Sequence, residues 1–391
     1  MRFSSLLAMV LLLVMTSSAK ATPAPPRSPA AHAELLAKYT EAHNPLSRAV
    51  LERAIDQAAA QRYGYVSKLY WYTDLDEARA AAKAQRKPIL SLRLLGQLDE
   101  ELTCANSRFF RVMYYANAQI SAYLRRNFIL HWSSERPVPK VTVDFGDGRV
   151  IRTTVTGNSI HYVLDEQGRV LDYIPGMQTP ARFIDNLNQA RALWISVEAG
   201  PADQRLVALL AFHDQRVAAV SQATSVTLLG PALDAQALAP TKAIAEQAVT
   251  TVLLPPGTFR TPSDATLAGW TRLGREIDVS WMSQARESAL IISAIATSAV
   301  PRSMLFDEPS LQLMERLQPN VALAALEDLI FADTAVSELV LRAGINQMPV
   351  ALRFGDMEAL NRAVYDEVFL TRGDDPWLNM KALGGFTALP Q

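Results

Sequence analysis

Between Trp71 and Val197 the apolar positions alternate between helical and extended spacing, the pattern of an α/β unit. Asp74 with Glu77 three residues on resembles a capping box, and Leu75, Ala78 and Ala82 give the following helix an apolar stripe that Lys87-Pro88 ends. Residues 89–95 form a short bounded apolar run, as a buried central strand does, and Arg93 inside it needs an edge or a partner. A helix over about 104–126 and a strand over 128–132 come next. Residues 137–143 and 149–156 flank Phe145-Gly146-Asp147-Gly148, and 159–164 and 169–174 flank Asp165-Glu166-Gln167-Gly168, so two hairpins are expected. Thr179-Pro180 caps a long helix to about 197, and Gly200-Pro201 separates it from another reaching about 222.

The flanks read differently. Met1-Arg2-Phe3, the apolar run from Leu6 to Met15 and the small-x-small triplet Ala19-Lys20-Ala21 form a secretory signal over residues 1–21, with cleavage expected after Ala21. Residues 22–43 open with a Pro- and Ala-rich stretch and are expected to be a spacer, extended over 22–31. Asn44-Pro45 reads as an N-cap followed by Pro at the first helical position, with Leu46, Val50, Ala54 and Ala58 as the apolar stripe of a helix within 44–64. Beyond residue 200 the chain is Ala- and Leu-rich, with helices expected near 242–250, 263–273, 280–297, 309–317, 321–330 and 357–368. Phe369 and Trp377 are expected to dock into the protein's own core.

Composition narrows the function classes. Signal removal takes away Arg2 and Lys20 and leaves 36 basic against 39 acidic residues, with no basic run of the kind that nucleic acid requires. No mature segment is long and apolar enough to be expected to span a membrane, which points to a periplasmic or secreted product. The 391 residues contain a single cysteine, Cys104, so an intrachain disulfide is excluded.

Several motifs together resemble the thioredoxin-like superfamily. They are Lys87-Pro88-Ile89-Leu90 leading to a Cys at a helix start, then Phe128-Ile129-Leu130, then Gly157-Asn158-Ser159-Ile160-His161-Tyr162-Val163-Leu164-Asp165-Glu166-Gln167-Gly168-Arg169-Val170, and Gly176. The resemblance covers about residues 65–197, roughly a third of the chain, and implies a thioredoxin-like domain over 65–199 followed by a mostly α-helical C-terminal region over 200–391. It departs from the family twice. Cys104-Ala105-Asn106-Ser107 stands where the family has Cys-x-x-Cys, and Ser159 stands where the family has a cis-proline.

The resemblance makes Cys104 and Ser107 the catalytic candidates, and Asn158, Ser159 and Ile160 the candidates for binding substrate. A thiol at a helix start gains thiolate character from the helix N-terminus, with Arg108 and Arg111 able to share its face and Asp99, Glu100 and Glu101 opposing it. Ser107 could donate a hydrogen bond to that thiolate. With no resolving cysteine, chemistry would be of the monothiol kind, acting on protein or small-molecule thiols and released by an external thiol. The rival expectation is a non-catalytic protein-interaction scaffold that keeps the fold. His131 and His161 lie on strands without zinc-like spacing, so neither metal nor cofactor is expected, and Asp144, Asp147 and Asp165 read as turn residues. The bond between Asn158 and Ser159 should be trans.

Overall fold

The computed structural model describes residues 27–154, 157–223, 264–287, 303, 305–317 and 323–374. The signal segment, the helix expected near 242–250 and Trp377 lie outside the described residues.

The spacer expectation fails over most of its length. Ser28 caps helix α1 (Pro29–Glu41), its hydroxyl accepting from the Ala31 N–H, and Pro29 supplies a first-turn residue that needs no N–H partner. Helix α2 (Pro45–Ala59) starts where Asn44 accepts from Leu46 and Ser47. Its buried side is Ile55, Asp56, Ala58 and Ala59, whereas Leu46 and Val50 face solvent. The expected apolar stripe is therefore exposed over its first two turns. A short helix α3 (Gly64–Ser67) follows.

The central sheet has five strands in the order β1-β3-β2-β6-β7: β1 (Trp71–Tyr72), β2 (Ile89–Leu95), β3 (Ile129–Arg136), β6 (Ser159–Leu164) and β7 (Val170–Pro175). Strands β1 and β2 both run parallel to β3, while β6 runs antiparallel to β2 and β7 antiparallel to β6. A separate two-stranded hairpin, β4 (Lys140–Asp144) with β5 (Val150–Thr154), bridges β3 and β6. Every residue of β2 is buried, because both faces of the central strand are covered, which is why it reads as a mostly apolar run in which Ser91 and Arg93 need partners.

Helix α4 (Leu75–Gln85) joins β1 to β2, capped by Asp74. The parallel step from β2 to β3 needs a crossover. It is made by α5 (Ala105–Phe109), a π-helical turn over Phe110–Tyr115, and α6 (Ala118–Asn127), restarted by Asn117. The single helix expected there is thus two. On one sheet face His161 packs among Phe110 and Phe183, with Tyr114 stacked on Phe183 at a centroid distance of 4.1 Å. Helix α7 (Pro180–Ala199), which carries Phe183, is capped by Thr179, and α8 (Arg205–Ala223) follows it.

The C-terminal helices complete the same core. One helix, α9 (Asp264–Glu287), runs through the expected break near 274–279 and packs on α11 (Leu323–Val336). Gly274 makes that approach possible: a Cβ there would sit 1.7 Å from the Phe331 carbonyl oxygen. Helices α10 (Glu308–Leu317), α12 (Arg342–Asn346), α13 (Val350–Arg353) and α14 (Met357–Ala363) make up the rest, with π-helical turns at Ser337–Leu341 and Val364–Val368. Buried apolar side chains form one continuous cluster from Ala60 to Phe369, so the region beyond residue 200 shares its core with the sheet.

Candidate thiol site

Cys104 is the N-cap of α5, in extended conformation (φ −60°, ψ 150°). Its N–H donates to the Leu95 carbonyl at 3.1 Å and its own carbonyl accepts from the Arg108 N–H at 3.2 Å, which ties the end of β2 directly to the start of the helix. The side chain has no exposed surface. A thiol can react only where a reactant can reach it.

Its expected helpers are engaged elsewhere. The Ser107 hydroxyl lies 2.8 Å from Thr103 Oγ1 and 2.9 Å from the Cys104 carbonyl, and shares its one proton between these oxygens as a first-turn hydroxyl does. Arg108 reaches the Thr103 carbonyl and Thr154 Oγ1, and Arg111 the carbonyls of Glu100 and Glu101. The opposing acids also turn away from the thiol: Glu101 pairs with Arg62 and Glu100 with Lys140, each at 3.4 Å.

The loop before β6 lies against this turn. A Cβ on Gly157 would stand 3.0 Å from Ala105 Cβ and 3.3 Å from the Asn106 N–H nitrogen and side-chain oxygen. The Asn158–Ser159 bond is trans. Ser159 uses its carbonyl to accept from Gly176 at 2.9 Å, and Ile160 pairs with Arg93 and Pro175; both side chains are fully buried. The expected catalytic turn and the expected binding loop therefore come together, but not at the surface.

Two hydrogen bonds tie β6 and the residue before it to the chain's C-terminal part. Asn158 donates from its amide to the Phe369 carbonyl at 3.5 Å, and Tyr162 donates to Asn361 at 3.2 Å. Burial, ahead of nearby charges, pushes the Tyr365 hydroxyl well above its ordinary pKa. Phe369 is buried as expected, packed edge-on to Tyr365 with ring centroids 5.1 Å apart. Compared with protein-family models, curated proteins and solved structures, the chain has no match.

Arg93, the charge inside the central strand, finds partners in Glu358 and Glu135. Glu358 belongs to α14, so the sequence signal for the C-terminal contact was the unpaired cation in β2. Tyr365 itself carried no such signal. The strand histidines are core residues: His131 bonds Ser91 and His161 bonds Tyr115, each at 2.8 Å, and burial pushes both down to a pKa of about 3. Among the described residues no group of three His, Cys, Asp or Glu side chains could hold a metal, and no helix is long and apolar enough to cross a membrane. Asp144, Asp147 and Asp165 each accept from backbone N–H groups two residues on, as turn residues do.

Proposed function

We propose that this is an exported protein, periplasmic or secreted, in which a thioredoxin-like unit serves as a non-catalytic protein-interaction scaffold. Support for the thioredoxin-like reading comes from the strand order β1-β3-β2-β6-β7 with its last two strands antiparallel, and from a Cys at the helix N-cap that follows β2. The observation that carries the scaffold reading is that Cys104, the one thiol, has no exposed surface. A disulfide substrate has no path to a thiol with no exposed surface.

A second reading, monothiol exchange, draws on the placement of Cys104 at a helix N-terminus facing the Gly157 loop. In that chemistry the Cys104 thiolate attacks a disulfide sulfur and expels one thiolate, and an external thiol then cleaves the mixed disulfide. The experiment that separates the two is glutathione-coupled reduction of a small mixed disulfide by the wild type and by Cys104→Ser. The scaffold reading expects equal background rates. Turnover that depends on Cys104 replaces it with the monothiol reading.

A further inference from the structure

A cleft of about 530 Å³ opens between α2 and the turn that follows β2. That volume lies within the range of about 300–1,000 Å³ that small-molecule sites occupy. Every side chain that lines it is polar or charged, so it lacks the apolar wall that an aromatic or aliphatic ligand needs.

The cleft has a fixed frame. Asp56, buried on α2, accepts from the Gly64 N–H at 2.7 Å and faces Arg62 at 3.6 Å. The Arg62 N–H donates to the carbonyl of Leu98 at 3.1 Å, and the Leu98 side chain is fully buried, so the turn after β2 is anchored to the chain that leaves α2. Within the turn the Glu100 N–H donates to the Gln97 carbonyl at 3.3 Å, and Arg111 holds the Glu100 carbonyl at 2.6 Å.

Three of the lining side chains are spent on that frame or on neighbours. Asp56 and Arg62 face each other, Arg62 also meets Glu101 at 3.4 Å, and Glu100 meets Lys140 at 3.4 Å. The other four keep their bonding capacity. Among the described residues, the Asp99 carboxylate and the side-chain amides of Gln57 and Gln97 have no hydrogen-bond or ion-pair partner. Arg53 uses its Nε alone, on the Ala49 carbonyl one turn back in its own helix. Arg53 and Gln57 stand four residues apart on α2 and share a helix face, whereas Gln97 and Asp99 come from the turn. What the cleft offers a ligand is therefore one guanidinium, one carboxylate and two amides that can each donate and accept. A simple anion would leave Asp99 unmatched beside it, and a simple cation would leave Arg53 unmatched.

We propose that this cleft binds a small zwitterion, an α-amino acid or a short peptide with free termini. The ligand's carboxylate meets Arg53, its ammonium group meets Asp99, and Gln57 and Gln97 bond to the polar groups between them. The site does not involve Cys104 and goes beyond the scaffold reading by giving the protein a small-molecule ligand.

Isothermal titration calorimetry of the full-length protein at low salt tests this, with L-alanyl-L-alanine, its N-acetyl derivative and its C-terminal amide as probes. The dipeptide should saturate one site. Each capped form should bind about tenfold more weakly, the ratio that loss of one charge-assisted bond brings. Arg53→Gln should bind the dipeptide and its amide alike, and Asp99→Asn should bind the dipeptide and its N-acetyl form alike. Both positions are exposed, so neither change touches the core. Three outcomes overturn the proposal: no saturation by the dipeptide at millimolar concentration, equal affinity for all three probes, or variants that keep the wild-type preferences. None of these depends on thiol turnover, so they are separate from the outcomes of the glutathione assay.

Discussion

Arg182 and Glu338 meet at 3.0 Å with neither side chain exposed to solvent, joining α7 to the π-helical turn 156 positions later in the chain. Burial alone would raise the Glu338 carboxyl, but Arg182, Arg342 and Arg216 outweigh it and hold that group far below its ordinary range. Asp172 on β7 pairs with Arg216 at 3.1 Å and Arg342 at 2.7 Å, so one buried network fastens the C-terminal helices to the edge of the sheet. Removing one partner strands the others. Glu338→Leu should therefore cost about 3–5 kcal/mol of stability, read from urea unfolding. A loss under about 1 kcal/mol would mean that the network does not bind the two regions together.

Stability should fall as the solution is made mildly acidic. Burial lowers the pKa of His32 and His213 to about 4, and of His131 and His161 to about 3, whereas the unfolded chain takes up these protons near 6.5. The unfolded state thus binds more protons below pH 7, and the stability these groups contribute is complete above about 6.5 and lost as the pH falls. Asp56 works in the opposite sense: burial raises it to about 6, so its protonation favours the folded state on the way down. Four histidines outweigh Asp56 and the smaller upward shifts that burial gives Glu135, Asp185 and Asp278 between pH 7.5 and 6. The expected loss over that interval is on the order of 2 kcal/mol, measured as a lower urea midpoint. A midpoint at pH 6 equal to or above that at pH 7.5 would contradict the assignment of these histidines to the core.

Gly274→Ala should push α9 away from α11, because the added methyl would overlap the Phe331 carbonyl oxygen. Overpacking of this kind against backbone costs about 2 kcal/mol or more. Thermal unfolding checks it, and an unchanged midpoint would show that the two helices do not cross at this glycine.

The α/β core was legible because its strands announce themselves by period. Residues 89–95 and 159–164 were expected as strands and are strands, since a fully buried strand is a bounded apolar run. Strand β1 is two residues long and leaves too short a pattern to read. Helix α1 was hidden by prolines that look like a spacer until one sees that Pro29 is the first helical residue behind the Ser28 cap. The placement of Cys104 at a helix start was readable from Lys87-Pro88 and the strand after it. Its burial was not, because a lone cysteine in the sequence carries no signal of what packs around it. Only Arg93, a charge in a buried strand, hinted that something distant had to reach it.

The mature N-terminus is expected at Thr22, following the small-x-small triplet Ala19-Lys20-Ala21. N-terminal sequencing of the exported fraction checks this. Exported material that still begins at Met1 would contradict the processing site.

The central claim is that Cys104 does not turn over substrate because it has no exposed surface. The most direct test is the rate of glutathione-coupled reduction of a small mixed disulfide by wild type, set against Cys104→Ser at equal concentration. The account predicts that the two proteins do not differ from each other or from the uncatalysed background. A wild-type rate clearly above that of Cys104→Ser, saturating with the disulfide, would contradict it.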